Sequence, residues 1–273
     1  MNRKIIIFTD LDGTLLHPRD YSFDDAIPAL GLIREMEIPL VLSSSKTRAE
    51  IELCRKRLSN VHPFVSENGG GVFIPEGYFQ FPIVGEVKDR YRVINFGSPY
   101  TLVRKILSEI ETELKVKIRG FGDMTVNEVA EITGMSIEEA SLAKEREFDE
   151  PFLFEETEEW ARKKSLELIE KKGLHYTQGR FFHILGNHDK GKSARLLIKF
   201  YKRVYGSVMT VGLGDSPNDL PLLEVVDLPV LIQKEDGGFE PGIDLPGLIK
   251  SEGIGPEGWN KAIMKILEVN RYG

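Results

Sequence analysis

An apolar, largely β-branched run near the start of the chain ends directly in two carboxylates. Residues 4–14 read K-I-I-I-F-T-D-L-D-G-T, so Asp10 and Asp12 stand two positions apart. An unbroken apolar run that ends in a polar turn is typical of a parallel strand covered on both faces. In open α/β sheets, ligands bind at the carboxyl ends of such strands. The segment therefore predicts two acids at a ligand-binding edge of a parallel sheet.

Two acids this close repel each other, which favours a bound cation or a proton on one of them. The same letters have a simpler interpretation as a solvated turn, because Asp and Gly are common turn residues. A calcium-binding helix–loop–helix is disfavoured, because a strand pattern precedes Asp10 and Gly13 comes too early in the loop. The residues at the ends of the other predicted strands distinguish between these interpretations.

Length and composition exclude several classes of protein. The 273 residues exceed one ordinary domain, and 41% hydrophobic with 29% charged residues is typical of a soluble globular protein. No apolar run reaches the length of a membrane span or a signal-peptide core, so we expect a cytoplasmic protein without a membrane partner. The net charge of -7 argues against nucleic-acid binding. The single cysteine, Cys54, is expected to be structural, and the scarcity of Gln and Cys favours a thermophilic source.

The next two predicted strands also end in polar clusters. A strand over 38–42 ends in S-S-S-K at 43–46, just before a helix that starts near Thr47. A strand over 61–66 ends in E-N-G-G-G at 67–71. Hydroxyl groups ahead of a helix can bind an anion, although they can equally cap the helix. Three polar strand ends in succession favour one ligand site over three separate turns.

The middle of the chain changes character, with Pro-Gly punctuation followed by helical patterns. A strand near 151–154 and a hairpin turning at Gly179 accompany these helices. We therefore predict an α/β protein with a Rossmann-like parallel-sheet core and an inserted α+β cap domain that covers the strand ends. The predicted division is core over 1–83, cap over 84–186 and core again over 187–273.

A second acidic strand end lies in the last third of the chain. A buried strand over 208–213 runs into G-D-S-P-N-D at 214–219, which supplies Asp215, Asn218 and Asp219. A final amphipathic helix over 259–269 closes the chain, and the loop-rich segment 237–258 is expected to carry no chemistry. Acids at two strand ends would meet if the two strands were neighbours.

A phosphate-loop pattern competes with this interpretation. Residues 186–193 read G-N-H-D-K-G-K-S and match G-x-x-x-x-G-K-[ST], which would predict a nucleotide-binding protein that uses Lys192. Such a cradle aims backbone amides at phosphate, so the carboxylate of Asp189 fits it poorly. The alternative is that Asp189 caps the following helix and Lys190 serves another site, or that both lysines are simply solvated.

Together these segments supply the parts of phosphoryl transfer through a carboxylate: a nucleophile, an acid, cationic groups and ligands for a divalent cation. Oxygen ligands of this kind favour Mg²⁺. With these residues the chain resembles the haloacid dehalogenase superfamily of phosphatases. The four stretches similar to its motifs are D-L-D-G-T at 10–14, Ser44, Lys190 and G-D-S-P-N-D at 214–219.

The resemblance implies roles for individual residues. Asp10 would be the nucleophile and Asp12 the general acid and base. Phosphate would be bound by Ser44, Lys190 and Asn218, with Ser43 and Ser45 as alternatives to Ser44. The magnesium ligands would come from Asp10, Asp12, Asp215 and Asp219.

Within the superfamily the chain is most similar to the mannosyl-3-phosphoglycerate phosphatases. The similarity rests on S-S-S-K-T-R-A-E at 43–50, E-N-G-G-G at 67–71, G-F-G-D-M at 120–124 and A-K-E-R-E-F-D-E-P-F at 143–152. It implies a small anionic sugar phosphate as substrate, 2-O-mannosyl-3-phosphoglycerate, and mannosylglycerate, a compatible solute, as product. The expected substrate-binding residues are Arg146, Arg180, His183, Asn68 and Gly69.

Alternatives that share the core residues stay open. A broader sugar-phosphate phosphatase or a phosphohexomutase would differ only in the cap. A non-enzymatic module that binds anions would keep the anion site without turnover. The sequence does not indicate an oligomeric state.

Overall fold

The computed structural model describes residues 3–272, which form thirteen strands and nine α-helices. The strands are β1 (Lys4–Thr9), β2 (Leu40–Ser43), β3 (Phe64–Ser66), β4 (Gly71–Pro75), β5 (Glu86–Lys88), β6 (Tyr91–Asn95), β7 (Lys117–Gly120), β8 (Asp149–Glu155), β9 (His175–Gln178), β10 (Phe182–Leu185), β11 (Val208–Gly214), β12 (Leu228–Gln233) and β13 (Ile249–Ile254). The helices are α1 (Ile27–Glu35), α2 (Arg48–Leu58), α3 (Tyr100–Leu114), α4 (Val126–Thr133), α5 (Ile137–Ala143), α6 (Glu159–Lys171), α7 (Lys190–Tyr205), α8 (Leu220–Leu223) and α9 (Gly255–Tyr272).

Nine strands form one sheet in the order β13-β12-β11-β1-β2-β3-β4-β6-β5. The six from β13 to β3 run parallel, and β4, β6 and β5 extend the sheet with antiparallel pairing. The predicted fold class, a Rossmann-like parallel sheet with a further α+β unit, is confirmed. We call the unit built on this sheet the core.

Strand β1 is apolar throughout because both of its faces are covered. Ile5 and Ile7 pack with Trp259 and other residues of α1 and α9 on one face of the sheet. Ile6 and Phe8 pack with residues of α7 on the other face. Each such side chain contributes about 1.5–3 kcal/mol of burial free energy. The strand that leads to Asp10 is therefore the centre of two hydrophobic layers.

A second, four-stranded antiparallel sheet has the order β7-β8-β10-β9. Helices α3 and α6 pack on it through an apolar cluster, and α4 and α5 form a smaller cluster of their own. The predicted hairpin around Gly179 is confirmed, since Gln178 pairs with Phe182 in antiparallel register. We call this sheet and helices α3–α6 the cap.

Two segments differ from the sequence prediction. Strands β5 and β6 hydrogen-bond into the core sheet, although the predicted boundary at residue 84 assigned them to the cap. The expectation of loop over 237–258 is wrong at 249–254, where β13 forms the sheet edge. Strands β5 and β13 form the two edges of the sheet and are mostly exposed or half-buried, so they carry little apolar signal. The division into 1–83, 84–186 and 187–273 stays a prediction.

No helix within residues 3–272 has the length and apolar character that a membrane crossing requires.

Core and cap meet at a backbone turn after β3. Glu67, Asn68 and Gly69 have positive φ angles of 46°, 57° and 100°. The turn aims the buried Glu67 carboxylate at the cap, where it accepts hydrogen bonds from the backbone N–H groups of residues 147 (3.0 Å), 148 (2.7 Å) and 149 (2.9 Å). Several charge-assisted hydrogen bonds to one carboxylate make a strong attachment.

Gly69 lets this turn lie against the start of α7. A Cβ atom at Gly69 would stand 2.2 Å from the carbonyl oxygen of Asp189. The carbonyl of Gly69 accepts a hydrogen bond of 2.8 Å from the hydroxyl of Ser193 on α7. The glycine is therefore required by packing between the turn and the helix.

We expect Gly69→Ala to lower the free energy of unfolding by about 2–5 kcal/mol, the sum of left-handed strain and overpacking. Gly77→Ala is the matched control, because Gly77 has φ 73° and a Cβ atom added there would meet nothing within 4 Å. That control should cost only about 1–2 kcal/mol. Urea unfolding of both variants measures the difference, and equal losses would contradict the packing argument.

Candidate active site

A buried lysine joins the two acidic strand ends. The Lys190 ammonium is fully buried and donates to Oδ1 of Asp10 and Oδ1 of Asp219, each at 2.6 Å. A buried ammonium is strongly unfavourable unless charged partners surround it. Lys190 begins helix α7, and Asp189 caps that helix by accepting from the Lys192 amide at 2.7 Å. The capping role predicted for Asp189 is confirmed.

Parallel pairing of β1 with β11 brings the acids of distant segments together. The Asp10 amide donates to the carbonyl of Leu213 at 2.9 Å, so Asp10 and Asp215 leave the sheet at the same edge. Carboxylate oxygens of Asp10, Asp215 and Asp219 all lie within 4.8 Å of one another. The hydroxyl of Thr14 donates to Asp215 at 3.1 Å. The convergence expected from the two acidic strand ends is present.

Burial and mutual repulsion disfavour full ionisation of this cluster. Burial raises the pKa of Asp10 well above its usual range, and the ammonium of Lys190 offsets this only in part. Burial, then the Asp219 carboxylate, raises the pKa of Asp215 to about 6. The cluster therefore needs more positive charge than Lys190 supplies.

The donor set fits a hard divalent cation. Both oxygens of Asp219 already accept protein hydrogen bonds, from Lys190 and from the amides of Asp215 and Ser216. Asp219 is therefore suited to orienting its neighbours. Asp10 and Asp215 retain oxygen lone pairs, and carboxylate oxygens are what Mg²⁺ prefers.

Asp12 lies beside the cluster, held by a second buried lysine. Lys46 contacts Oδ2 of Asp12 at 3.1 Å and Glu50 at 3.4 Å, and the ring of Tyr21 lies 4.9 Å from its ammonium. Burial opposes the charge of Lys46, but Asp12 and Glu50 outweigh it and hold the Lys46 pKa above its usual range. The buried Oδ1 of Asp12 has no hydrogen-bond partner within the described part of the chain. That oxygen is left for a proton or a substrate.

The serine run after β2 is buried against the same edge. Ser44 is 1% exposed, and its hydroxyl oxygen accepts from the Lys46 amide at 3.2 Å. Ser45 lines the cavity described below, whereas Ser44 does not. The buried hydroxyl of Ser43 is without a partner in the region that the structure describes. Which of the three contacts phosphate stays a prediction.

A cavity of about 520 Å³ lies between core and cap. Its core side carries Asp10, Asp12, Asp215, Asn218, Ser45 and Lys46. Its cap side includes Phe121, Met135, Arg146, Arg180, Phe181 and His183. The volume is in the range of sites that enclose a small organic ligand. Asn68 and Gly69, expected to bind substrate, do not line it.

Two of the three predicted cap residues have their charged ends largely engaged. Nη2 of Arg146 donates to Asp149 and, at 2.7 Å, to the carbonyl of Ser45. Arg180 donates to the carbonyls of residues 132 and 133, both at 2.7 Å, at the end of α4. Neither guanidinium therefore offers a free fork for a carboxylate, although both line the cavity.

A chain of hydrogen bonds connects the core side of the cavity with the cap. Asn218 donates to Oδ1 of Asn68 at 3.0 Å, and Asn68 donates to Oδ2 of Asp149 at 2.8 Å. The same Oδ2 lies 3.2 Å from Nδ1 of His183. Asn68 thus lies behind the cavity and connects residues that line it.

The phosphate-loop interpretation is disfavoured by geometry. Lys192 points away from the acids and donates to the carbonyl (2.7 Å) and side-chain oxygen (2.6 Å) of Asn187. Gly191 is small for a packing reason, since its Cβ would stand 2.2 Å from the Pro221 carbonyl oxygen. The lysine that joins the cluster is Lys190.

Two groups at the site were not singled out from the sequence. The segment after β12, Gln233 to Asp236, lines the cavity, and it lies at another parallel strand end where the same rule could have found it. Asp149 is fully buried in the run F-D-E-P-F, where a carboxylate among aromatic residues was the available signal.

Comparisons with known proteins identify the family to which this chain is similar. A family model for haloacid dehalogenase-like hydrolases matches residues 7–80. A glucosyl-3-phosphoglycerate/mannosyl-3-phosphoglycerate phosphatase of Methanococcoides burtonii is 49% identical over 273 residues and covers 98% of each chain. A mannosyl-3-phosphoglycerate phosphatase of Pyrococcus horikoshii is 39% identical over 83% of this chain and 90% of its own.

A solved sugar phosphatase of HAD subclass IIB has a similar fold. It superposes with a TM-score of 0.62 at 17% identity and covers 97% of this chain and 98% of its own. At that identity the likeness concerns the fold alone.

We expect Asp215→Asn to raise the unfolding temperature by a few degrees when Mg²⁺ is absent, because one of three crowded carboxylates loses its charge. Mg²⁺ should stabilise the wild type, by about 2.7 kcal/mol at 100 times its dissociation constant, and should stabilise the variant much less. Thermal unfolding with EDTA or Mg²⁺ measures both effects. Asp227→Asn, at the opposite end of the sheet, is the control, and an equal Mg²⁺ shift in both variants would contradict the metal assignment.

Proposed function

We propose that this chain is a Mg²⁺-dependent hydrolase of glucosyl- and mannosyl-3-phosphoglycerate. The chain belongs to the haloacid dehalogenase superfamily and, within it, to the glucosyl- and mannosyl-3-phosphoglycerate phosphatases. It is a phosphatase by family. Beyond phosphatase activity, the proposal specifies an aspartyl-phosphate intermediate, Mg²⁺ as the metal and a glycosyl phosphoglycerate as the substrate. Hydrolysis of the mannosyl compound would yield mannosylglycerate, a compatible solute.

The observation that carries the proposal is the cluster of Asp10, Asp215 and Asp219 around the buried Lys190 ammonium. It lies at the end of the cavity where a phosphoryl group would find a carboxylate nucleophile beside a fixed cation. Phosphoryl transfer depends mainly on positioning and on neutralising charge on the phosphoryl oxygens. Lys190 and Asn218 are suited to those oxygens, with a serine of the run 43–45.

In the first step, a carboxylate oxygen of Asp10 attacks phosphorus as the bond to the glycerate oxygen breaks. This forms an aspartyl phosphate, and the departing oxygen takes a proton from Asp12. In the second step, water attacks the phosphorus and gives its proton to Asp12, which frees phosphate and restores Asp10. Lys46 holds one oxygen of Asp12 and leaves Oδ1 for the proton.

Asp10, Asp215 and the backbone carbonyl of Asp12 are the groups that would hold Mg²⁺, with Asp219 in support. When bound, the ion supplies charge neutralisation at the phosphoryl oxygens. Lys190 performs part of the same task from the protein, because its ammonium lies 2.6 Å from the Asp10 carboxylate.

The rest of the substrate would occupy the cap side of the cavity. A glycosyl phosphoglycerate has sugar hydroxyls and a carboxylate to satisfy, and Arg146, Arg180 and His183 face this space. The relative of 49% identity bears both the glucosyl and the mannosyl name, which supports acceptance of both sugars.

We expect Asp10→Asn to lower kcat by at least about a thousandfold, because the nucleophile of the covalent step is lost. Phosphate release under saturating substrate measures the loss, and circular dichroism checks that the variant is folded. Substantial remaining turnover in a folded variant would refute covalent catalysis by Asp10.

A panel of phosphomonoesters tests the substrate. It contains mannosyl- and glucosyl-3-phosphoglycerate, 3-phosphoglycerate, mannose 6-phosphate and glucose 1-phosphate, each with Mg²⁺ and with EDTA. We expect kcat/KM to be highest for the two glycosyl phosphoglycerates and to disappear with EDTA. Equal rates on simple sugar phosphates would indicate the broader phosphatase, and conversion of glucose 1-phosphate to its 6-phosphate would indicate a phosphohexomutase.

A further inference from the structure

Asp149 is a fully buried carboxylate at the start of cap strand β8. Its Oδ1 accepts from Arg146, and its Oδ2 faces Nδ1 of His183 at 3.2 Å and the amide of Asn68 at 2.8 Å. Burial opposes its charge, but the charge of Arg146 outweighs burial and holds the pKa of Asp149 well below its usual range. The group is therefore an ionised carboxylate with every oxygen in use.

Its two basic partners are cap residues that line the cavity. Arg146 is fixed from three sides, by Asp149, by the Ser45 carbonyl and by Glu67, whose carboxylate lies 3.7 Å from Nε. Nη1 is then the nitrogen of Arg146 without a protein partner within residues 3–272. Asp149 is thus the one carboxylate that contacts both basic groups.

The contact also determines the tautomer of His183. A carboxylate oxygen can only accept, so Nδ1 of the imidazole carries the proton. In the neutral ring Nε2 is then an acceptor, and it has no protein partner in the described part of the chain. An acceptor nitrogen at a cavity wall is suited to the hydroxyl of a sugar.

We propose that Asp149 is a positioning residue for sugar recognition: it holds His183 as the Nδ1–H tautomer, with Nε2 accepting from a sugar hydroxyl, and orients Arg146 beside it. This rests on the proposed function, because it assumes a sugar phosphate in the cavity. Asp149 itself does not line the cavity. It acts through the two side chains that do.

The bond from Asn68 to Asp149 extends this role to the core. Asn68 also accepts from Asn218, which lies at the phosphate end of the cavity. The carboxylate therefore sets the cap groups at a fixed distance from the phosphoryl site. A substrate that joins a phosphate to a sugar needs both ends held at once.

The test separates KM from kcat. We expect Asp149→Asn to raise KM for the preferred sugar phosphate at least tenfold and to change kcat less than threefold, because the phosphoryl site is intact. His183→Gln should raise KM similarly. In the double variant, KM should be less than twofold higher than in the more strongly affected single variant. The two substitutions remove the same interaction, so their effects should not multiply.

Glu150→Gln is the matched control. Glu150 is the next residue on β8, is also fully buried, and accepts from Tyr100 (2.7 Å), Arg104 (2.9 Å) and the Gly122 amide (2.7 Å), none of which lines the cavity. We expect this variant to lose stability without a rise in KM. A folded Asp149→Asn variant with unchanged KM, or a double variant with multiplied effects, would overturn the proposal.

A measurement on the wild-type protein does not require a folded Asp149→Asn variant. At pH 8, nitrogen NMR of ¹⁵N-histidine protein should show His183 as the Nδ1–H tautomer, with His183→Gln assigning the signal. The Nε2–H tautomer would refute the proposal. The substrate panel on the wild type is a separate result. If it selects another sugar phosphate, glycosyl phosphoglycerate is wrong as the substrate, and the KM test is run with the selected compound.

Discussion

The arrangement of this molecule depends on one ammonium group buried between carboxylates that are far apart in the chain. Lys190 reaches Asp10, 180 positions away, and Asp219, 29 positions away, at 2.6 Å each. A buried ammonium needs these acids, and the crowded acids need the ammonium. The contact therefore ties the ends of β1 and β11 to the start of α7, and Asp10 and Asp215, which follow those two strands, line the cavity.

Hydrogen bonds that involve charged side chains also attach the cap to the core. The turn after β3 directs the Glu67 carboxylate to three backbone amides of the cap, while Arg146 returns a hydrogen bond to the Ser45 carbonyl of the core. Because these groups are buried, each would be unfavourable without its partner. The junction thus fixes where the cap side chains stand relative to the acidic side of the cavity.

The strands at the centre of the core could be predicted from the sequence, whereas the contacts of the cap side chains could be predicted only in part. The apolar runs before Asp10 and Asp215 identified two central parallel strands, because strands buried on both faces carry the strongest pattern. The edge strands β5 and β13 escaped it, since they are mostly exposed or half-buried. Strands β5 and β6 lie on the cap side of the predicted boundary at residue 84, and that division stays a prediction. Arg180 was expected to bind substrate; its guanidinium donates to carbonyls at the end of α4, and its role toward the substrate stays a prediction. No local pattern reveals which acceptor a long side chain will find.

By itself the sequence determined that acids would stand at strand ends, that a lysine would start the helix after Asp189, and that a separate unit would lie between the two halves of the sheet. These features are local, because burial period, capping and turn chemistry act over a few residues. Only the tertiary structure decided that Lys190 rather than Lys192 meets the acids, that Asn68 lies behind the cavity, and that Asp149 contacts His183. Those outcomes depend on distances between side chains from separate elements, and packing of the whole chain sets them.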